Sequence, residues 1–215
     1  MHLKRQKIPK NWPAYRKGTK YVAKPSSDTK RGVSTLMILR DMLKIVKNKK
    51  EAKRTLYLKK ILLNERPVMD EKQSAVLFDV IKIDPLDKCY RLDLSDKGKI
   101  ILTEIPKGES GKKIAKINNK TVLNGKKTQI NLSDGRNFIS DMSCKTNDSV
   151  VINFKDKKIE KCIPLKSDSE VIIFSGKHFG KRGIVKNIHK EKKMAEINSN
   201  GEIINVLIKQ LMAIK

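Results

Sequence analysis

The apolar run Val171-Ile172-Ile173-Phe174 is followed almost at once by Gly176-Lys177-His178-Phe179-Gly180-Lys181-Arg182-Gly183-Ile184-Val185. A buried run that breaks at three glycines and resumes from Gly183 to about Ile188 predicts two short strands closed by a basic turn. Glycine permits positive φ and lets a ligand approach the main chain, while lysine and arginine add charge at the same spot. Gly176, Lys177, His178, Gly180, Lys181, Arg182 and Gly183 are therefore candidate phosphate contacts. No Ser or Thr follows Lys181 to reach a magnesium ion, so the spacing is not that of the nucleotide-hydrolase phosphate loop. A turn-rich connection with solvated lysines accounts for the glycines as well.

Charge separates these readings. The chain has 49 Lys and Arg against 23 Asp and Glu, a net +26 on 215 residues, a field that draws a polyanion over most of its surface. Residues 1–66 hold 20 basic and 4 acidic side chains, so the N-terminal third is the densest contact surface. A membrane is the competing polyanion, but no stretch approaches the ~20 apolar residues of a spanning helix, and no apolar core follows the basic N-terminus as in a signal peptide. A soluble, cytoplasmic protein is expected.

Cys89, Cys144 and Cys162 are widely separated, with no C-x-x-C pair and no histidine at zinc-finger spacing, and are expected to be reduced core thiols. His2, His178 and His189 are distant from one another, and none sits in a nucleophile motif. No catalytic residue, metal site, cofactor or small-molecule substrate is expected. Low aromatic content (5%) and high charge (33%) suit several small modules with modest cores, stabilised in part by their partner.

Residues 1–33 show neither helical nor strand period. The segment His2-Leu3-Lys4-Arg5-Gln6-Lys7-Ile8-Pro9-Lys10-Asn11-Trp12-Pro13 contains two prolines and the chain's single Trp. The expectation is a basic arm that orders on RNA, with Lys4, Arg5, Lys7, Lys10, Arg16 and Lys17 for phosphates and Trp12 and Tyr15 available to stack. A solvated, disordered basic tail is the alternative.

Ser34 or Thr35 can cap a helix in which Leu36, Leu39, Leu43 and Val46 form an apolar stripe, with Arg40, Lys44 and Lys47 forming a basic one. Asn48 followed by Glu51 resembles a capping box for a second helix whose Ala52 and Leu56 face inward. Lys50, Lys53, Arg54 and Tyr57 then share a sector of about 100° opposite that face. A solvated face normally alternates in sign, whereas this one is nearly all positive, which favours RNA contact. Lys59 and Lys60 follow, and Ile61-Leu62-Leu63-Asn64-Glu65-Arg66 reads as a strand entering a turn.

Residues 76–215 read as β-rich. Val76 to Ile83, Cys89 to Leu94 and Lys99 to Ile105 are strand candidates, the last two joined by Ser95-Asp96-Lys97-Gly98. Asn124-Gly125 predicts a hairpin between Thr121-Val122-Leu123 and Thr128 to Leu132, and Ser133-Asp134-Gly135 turns into Arg136 to Ile139. Strands near 170–174, 183–189, 193–198 and 202–208 would form a last compact barrel, packed on the central domain through Leu207, Leu211 and Ile214.

The basic helix pair followed by a hairpin resembles the S-four RNA-binding domain. The order of His2-Leu3-Lys4-Arg5, Pro9-Lys10-Asn11-Trp12-Pro13, Arg40-Asp41-Met42-Leu43, Glu51-Ala52-Lys53, Phe78-Asp79-Val80-Ile81, Asp134-Gly135-Arg136-Asn137 and the loop 176–183 is similar to the S-four-e family of small ribosomal subunit proteins, archaeal and eukaryotic. Asp134-Gly135-Arg136-Asn137 leans to the archaeal side. The resemblance implies a multi-module α+β fold: a basic arm (1–33), an S-four module of two helices and a small sheet (34–95), a central β domain (96–168) and a KOW-type, SH3-like small β-barrel (169–215). Residues 56–60 lack the family's glycine before the first strand, Asn64-Glu65 replaces its Asp-Gly or Asn-Gly turn, and an N-terminal extension seen in many relatives is expected to be missing. The implied function is a structural constituent of the small ribosomal subunit. It would bind and stabilise folded ribosomal RNA beside neighbouring ribosomal proteins, with Arg136 among the contacts. The alternative is a translation-associated factor acting transiently on ribosomal or transfer RNA.

Overall fold

Short stretches of alternating burial build nearly all of the chain. The computed structural model describes residues 2–140, 142–189 and 191–214; they are mostly strands in several antiparallel sheets, with two short helices. Contacts divide the chain into two units, Met1–Ser95 with Lys99–Gly111, and Asp96–Gly98 with Lys112–Lys215.

In the first unit, strand β1 (Leu3–Lys4) pairs with β2 (Tyr21–Val22), and β3 (Val33–Ser34) pairs with a later strand, β6 (Ser74–Ala75). Helix α1 (Thr35–Met37) runs into a wider π-type turn over Ile38–Met42, where Leu43 N donates to Ile38 O at 2.9 Å. Leu36, Leu39 and Val46 are buried as their spacing predicts. The helix is shorter than that stripe, because Lys44 takes a left-handed conformation (φ 55°). Helix α2 (Lys49–Tyr57) begins at Asn48, whose side chain accepts from Glu51 N.

A five-stranded sheet follows in the order β5-β4-β7-β8-β9, formed by β4 (Ile61–Leu63), β5 (Arg66–Pro67), β7 (Val80–Ile83), β8 (Lys88–Leu94) and β9 (Ile100–Ile105). Asn64 and Glu65 both adopt positive φ, 52° and 63°, so they make the turn that Asn-Gly would make. Asn64 is fixed there by donating to Asp79 Oδ1 (2.8 Å) and accepting from Val80 N (3.0 Å). Lys59 (φ 54°) likewise stands where a glycine would end α2, its N–H closing on Leu56 O. The boundary expected at 95/96 does not interrupt this sheet: β9 pairs with β8 from Ile100 to Ile105.

The second unit carries two five-stranded sheets. The first, in the order β12-β11-β10-β13-β14, contains β10 (Lys112–Val122), β11 (Thr128–Leu132), β12 (Asn137–Ile139), β13 (Ser149–Asn153) and β14 (Lys158–Ile163). The hairpin at Asn124-Gly125 closes through a 3-10 turn, with Val122 opposite Thr128. Its core joins Ala115, Ile117, Ile130, Leu132, Val150 and Ile152. Cys89 and Cys144 are buried and Cys162 is half-buried, all three with free thiols; burial, with help from Cys144 and the Asp148 charge, pushes the Cys162 thiol up to about 12.

The second sheet, in the order β18-β17-β16-β15-β19, comprises β15 (Glu170–Ile173), β16 (Arg182–His189), β17 (Met194–Ser199), β18 (Glu202–Leu207) and β19 (Leu211–Ala213). Leu211 lies in β19 within this sheet's own core and also meets the first sheet, its carbonyl accepting from Lys116 Nζ, whereas Leu207 is 44% exposed. Val151, Ile163 and Leu165 supply the apolar contact with the first sheet.

Candidate nucleic-acid interface

Helix α2 exposes its cations because both ends and one face are fixed. Asn48 accepts from Glu51 N at 3.0 Å, and Glu51 Oε2 accepts from Lys47 N at 2.8 Å, satisfying N–H groups that an uncapped helix leaves open. Ala52 and Leu56 are buried, which leaves Lys50, Lys53, Arg54 and Tyr57 facing outward, with Tyr57 86% exposed. Lys50 and Arg54 have no carboxylate partner among the described residues. Lys53 lies 3.9 Å from Glu71, whose closer partner is Lys49 at 2.9 Å. Burial would raise the Glu71 carboxyl, but the bond and charge of Lys49, with Lys53, hold it below its usual value. Lys59 and Lys60 are exposed just beyond the helix.

The stripe expected from Arg40, Lys44 and Lys47 does not form. Arg40 grips Asp41 with two bonds of 2.8 and 2.9 Å, and the left-handed turn at Lys44 takes Lys47 off that face. The Asp41 pair raises the Arg40 pKa further.

The N-terminal arm is folded. Arg5 clasps it, donating to Thr19 O (2.7 Å), Tyr15 O (2.6 Å) and Thr19 Oγ1 (3.1 Å), so this guanidinium is engaged within the arm and is not a free phosphate ligand. Trp12 is only 3% exposed; it belongs to the interior and offers no surface ring for stacking. Tyr15 is 62% exposed, and Lys4, Lys7, Lys10, Arg16 and Lys17 are exposed.

The glycine loop is the connection between β15 and β16. Gly176 (φ 95°) and Gly180 (φ 93°) use the left-handed region. Gly183 serves packing instead: a Cβ there would lie 2.3 Å from Asn198 O. Several loop amides turn inward, Gly180 N to Ile173 O and Lys181 N to His178 O. Lys177 and Arg182 are exposed, His178 is half-buried, and Lys181 lies 3.4 Å from Glu202. Arg136 is also occupied, stacked 4.8 Å over Phe154 and 3.7 Å from Asp134.

The same strand-rich unit buries two lysines that composition counts as free charge. Lys113 Nζ meets Asp134 at 2.9 Å with both side chains buried. Burial alone would raise Asp134, but Lys113 and Arg136 hold it below the usual carboxylate range. Lys116 Nζ donates to Ile208 O and to Leu211 O (2.8 Å), 5.8 Å from the Phe174 ring centre, and burial drags it down to about 7. Nothing in the local sequence separates these lysines from their exposed neighbours.

The candidate contacts thus fall in both units: α2 and the arm in the first, the loop 176–183 in the second. Among the described residues no three His, Cys, Asp or Glu side chains gather as for a metal, and no helix is long and apolar enough to cross a membrane.

The ribosomal family S4e matches residues 86–159. The small ribosomal subunit protein eS4 of Methanocella arvoryzae is 37% identical over 190 residues, 87% of this chain and 80% of that protein. Its counterpart from Nanoarchaeum equitans is 37% identical over 193 residues, 88% and 82%. The crystal structure of the 30S ribosomal protein S4e from Thermoplasma acidophilum superposes with a TM-score of 0.73 at 26% identity, covering 86% of this chain and 95% of that one. With identity of this level sustained along most of both sequences and the fold matched over 86% of this chain, the chain belongs to the ribosomal S4e family.

Proposed function

We propose that this chain is a structural constituent of the small ribosomal subunit in the cytoplasmic ribosome, binding and stabilising folded small-subunit ribosomal RNA. The observation that carries the reading is a set of exposed cations with no carboxylate partner among the described residues, Lys50 and Arg54 on α2 and Lys4, Lys7, Lys10, Arg16 and Lys17 along the arm, where the first acidic residue is Asp28. Family membership supports it, and the family is one of ribosomal structural proteins rather than enzymes.

In this reading Lys50, Arg54 and the arm lysines neutralise phosphates and release counterions, while Tyr15 and Tyr57 stack on bases exposed in loops. Phosphate contacts fix position without reading sequence, so specificity comes from the folded shape of the RNA. The layout belongs to the same reading: an arm over 1–33, an S-four module from 34 whose sheet runs on to Ile105, a central β domain, and a KOW-type barrel over 169–215 that offers Lys177, His178 and Arg182. Linked modules holding several RNA segments at once raise the effective concentration of each further contact. Neighbouring small-subunit proteins are the remaining partners; no membrane, cofactor or small-molecule substrate takes part.

Sedimentation of a cell extract at low and then high salt tests this. Stoichiometric persistence in the small-subunit peak is the expected result. Release into light fractions on washing would instead favour a factor that visits ribosomal or transfer RNA transiently.

A further inference from the structure

The folded arm forms a half-open cavity of about 1070 Å³ within the first unit, just above the roughly 300–1,000 Å³ usual for ligand clefts. Its apolar lining comes from Ile8, Pro9, Trp12 and Ala14, and its charged lining includes Lys4, Lys10, Arg16, Lys17 and Lys20. No acidic residue lines it, and none occurs in the sequence before Asp28. Trp12 is 97% buried, yet its Nε1–H has no acceptor among the described residues. A buried donor left unsatisfied is costly and marks a place where an outside acceptor is missing.

Apolar lining, surrounding cations and an unfilled donor are three requirements of one ligand. We infer that this cavity receives a single unpaired nucleotide of the RNA, its base against Ile8, Pro9 and Ala14 with a polar edge accepting from Trp12 Nε1–H, and its flanking phosphates against Lys10, Arg16, Lys17 and Lys20. The inference rests on the RNA-binding reading and sharpens it to a ligand class. The phosphates of an intact duplex lie on a convex surface and leave an apolar concavity empty, whereas an extruded base presents a flat apolar face with polar edges. A lone nucleotide carries too little charge to match so many cations, so neighbouring phosphates of a continuous strand are required. Arg5 keeps the cavity open in advance by bridging Tyr15 and Thr19.

Trp12 is the chain's single tryptophan, so intrinsic emission of the full-length protein reports on this cavity alone. The experiment titrates the protein with a short, dye-labelled oligouridylate and with a labelled, fully paired RNA of equal phosphate number, reading dye anisotropy and Trp12 emission together. The expected result is that both RNAs raise anisotropy but only the single strand changes Trp12 emission. The variant with Arg16→Ala and Lys17→Ala, which leaves the indole in place, should lose single-strand affinity by about tenfold. Single-strand binding with unchanged Trp12 emission, or an equal change with the duplex, would overturn the inference while leaving RNA binding intact. Absence of an anisotropy rise with either RNA would overturn both.

Discussion

Lys49-Lys50-Glu51-Ala52-Lys53 and Lys112-Lys113-Ile114-Ala115-Lys116 differ at one position in five, yet they meet opposite fates. The first opens α2, with Ala52 inward and every lysine exposed. The second opens β10, where period-two alternation sends Lys113 toward the core of its own sheet and Lys116 to the other face. Because β10 is a central strand and the second sheet covers its other face, both lysines are buried. Glu51 instead of Ile114 is decisive locally: a carboxylate that accepts from Lys47 N starts a helix, whereas a β-branched residue suits a strand. Charge density in a sequence therefore measures how much cation is available, and tertiary cover decides how much of it a polyanion can reach.

The strongest way to break this contrast is to remove a charged partner of a buried lysine. Asp134→Ala removes the buried carboxylate that Lys113 Nζ meets at 2.9 Å and should cost about 1.5–3 kcal/mol by chemical denaturation. The depressed Asp134 carboxyl also stabilises the fold above its unfolded value, and that contribution is lost as pH falls through the lower, folded one. A loss comparable to a surface substitution would mean that Lys113 is not buried as described.

Next in size is the helix. Changing Lys50 and Arg54 together to Ala should lower the slope of log affinity against log salt by roughly 0.7–0.9 per lost phosphate contact. Denaturation should shift by no more than about 0.5 kcal/mol, since neither side chain is buried. Lys53→Ala should do less than either, because Glu71 already shares its charge. Equal effects would show that the Glu71 pair does not hold in solution.

Lys116 sharpens the comparison through pH. Its ordinary value of 10.5 falls to about 7 on folding, so between these values the unfolded chain keeps a proton that the folded chain has released. Stability therefore rises with pH across that window, and the burial penalty is fully present below about pH 7. A neutral amine retains two N–H groups for Ile208 O and Leu211 O, so deprotonation does not undo the contact. Denaturation midpoints at pH 6.5 and 9 should differ less in Lys116→Met than in the parent chain. The smallest effect is expected at the cap: Asn48→Ala should destabilise α2 by about 1 kcal/mol and weaken RNA binding modestly.

Much of this architecture is legible in the sequence. Alternation and glycine punctuation locate β15 to β18, and the Asn48–Glu51 signature locates the start of α2. β13, β14 and β19 escape such reading. β13 and β14 meet at a turn where Lys157 (φ 53°) holds the left-handed position, and β14 is an edge strand rich in lysine. β19 has only three residues and presents no period. In the interface, α2 was legible because a helix displays its periodicity in the chain. The engagement of Arg5, Arg40 and Arg136 was not, because their partners Thr19, Asp41 and Phe154 become partners only through backbone geometry or distant pairing.

The most direct test of the central contrast is quantitative acetylation of lysines, read by mass spectrometry, on the free protein and on its complex with small-subunit RNA. Lys50 should react readily when free and be protected in the complex, while Lys113 and Lys116 should stay unreactive in both. Ready acetylation of Lys113 or Lys116 in the folded free protein, or equal reactivity of Lys50 with and without RNA, would contradict the account.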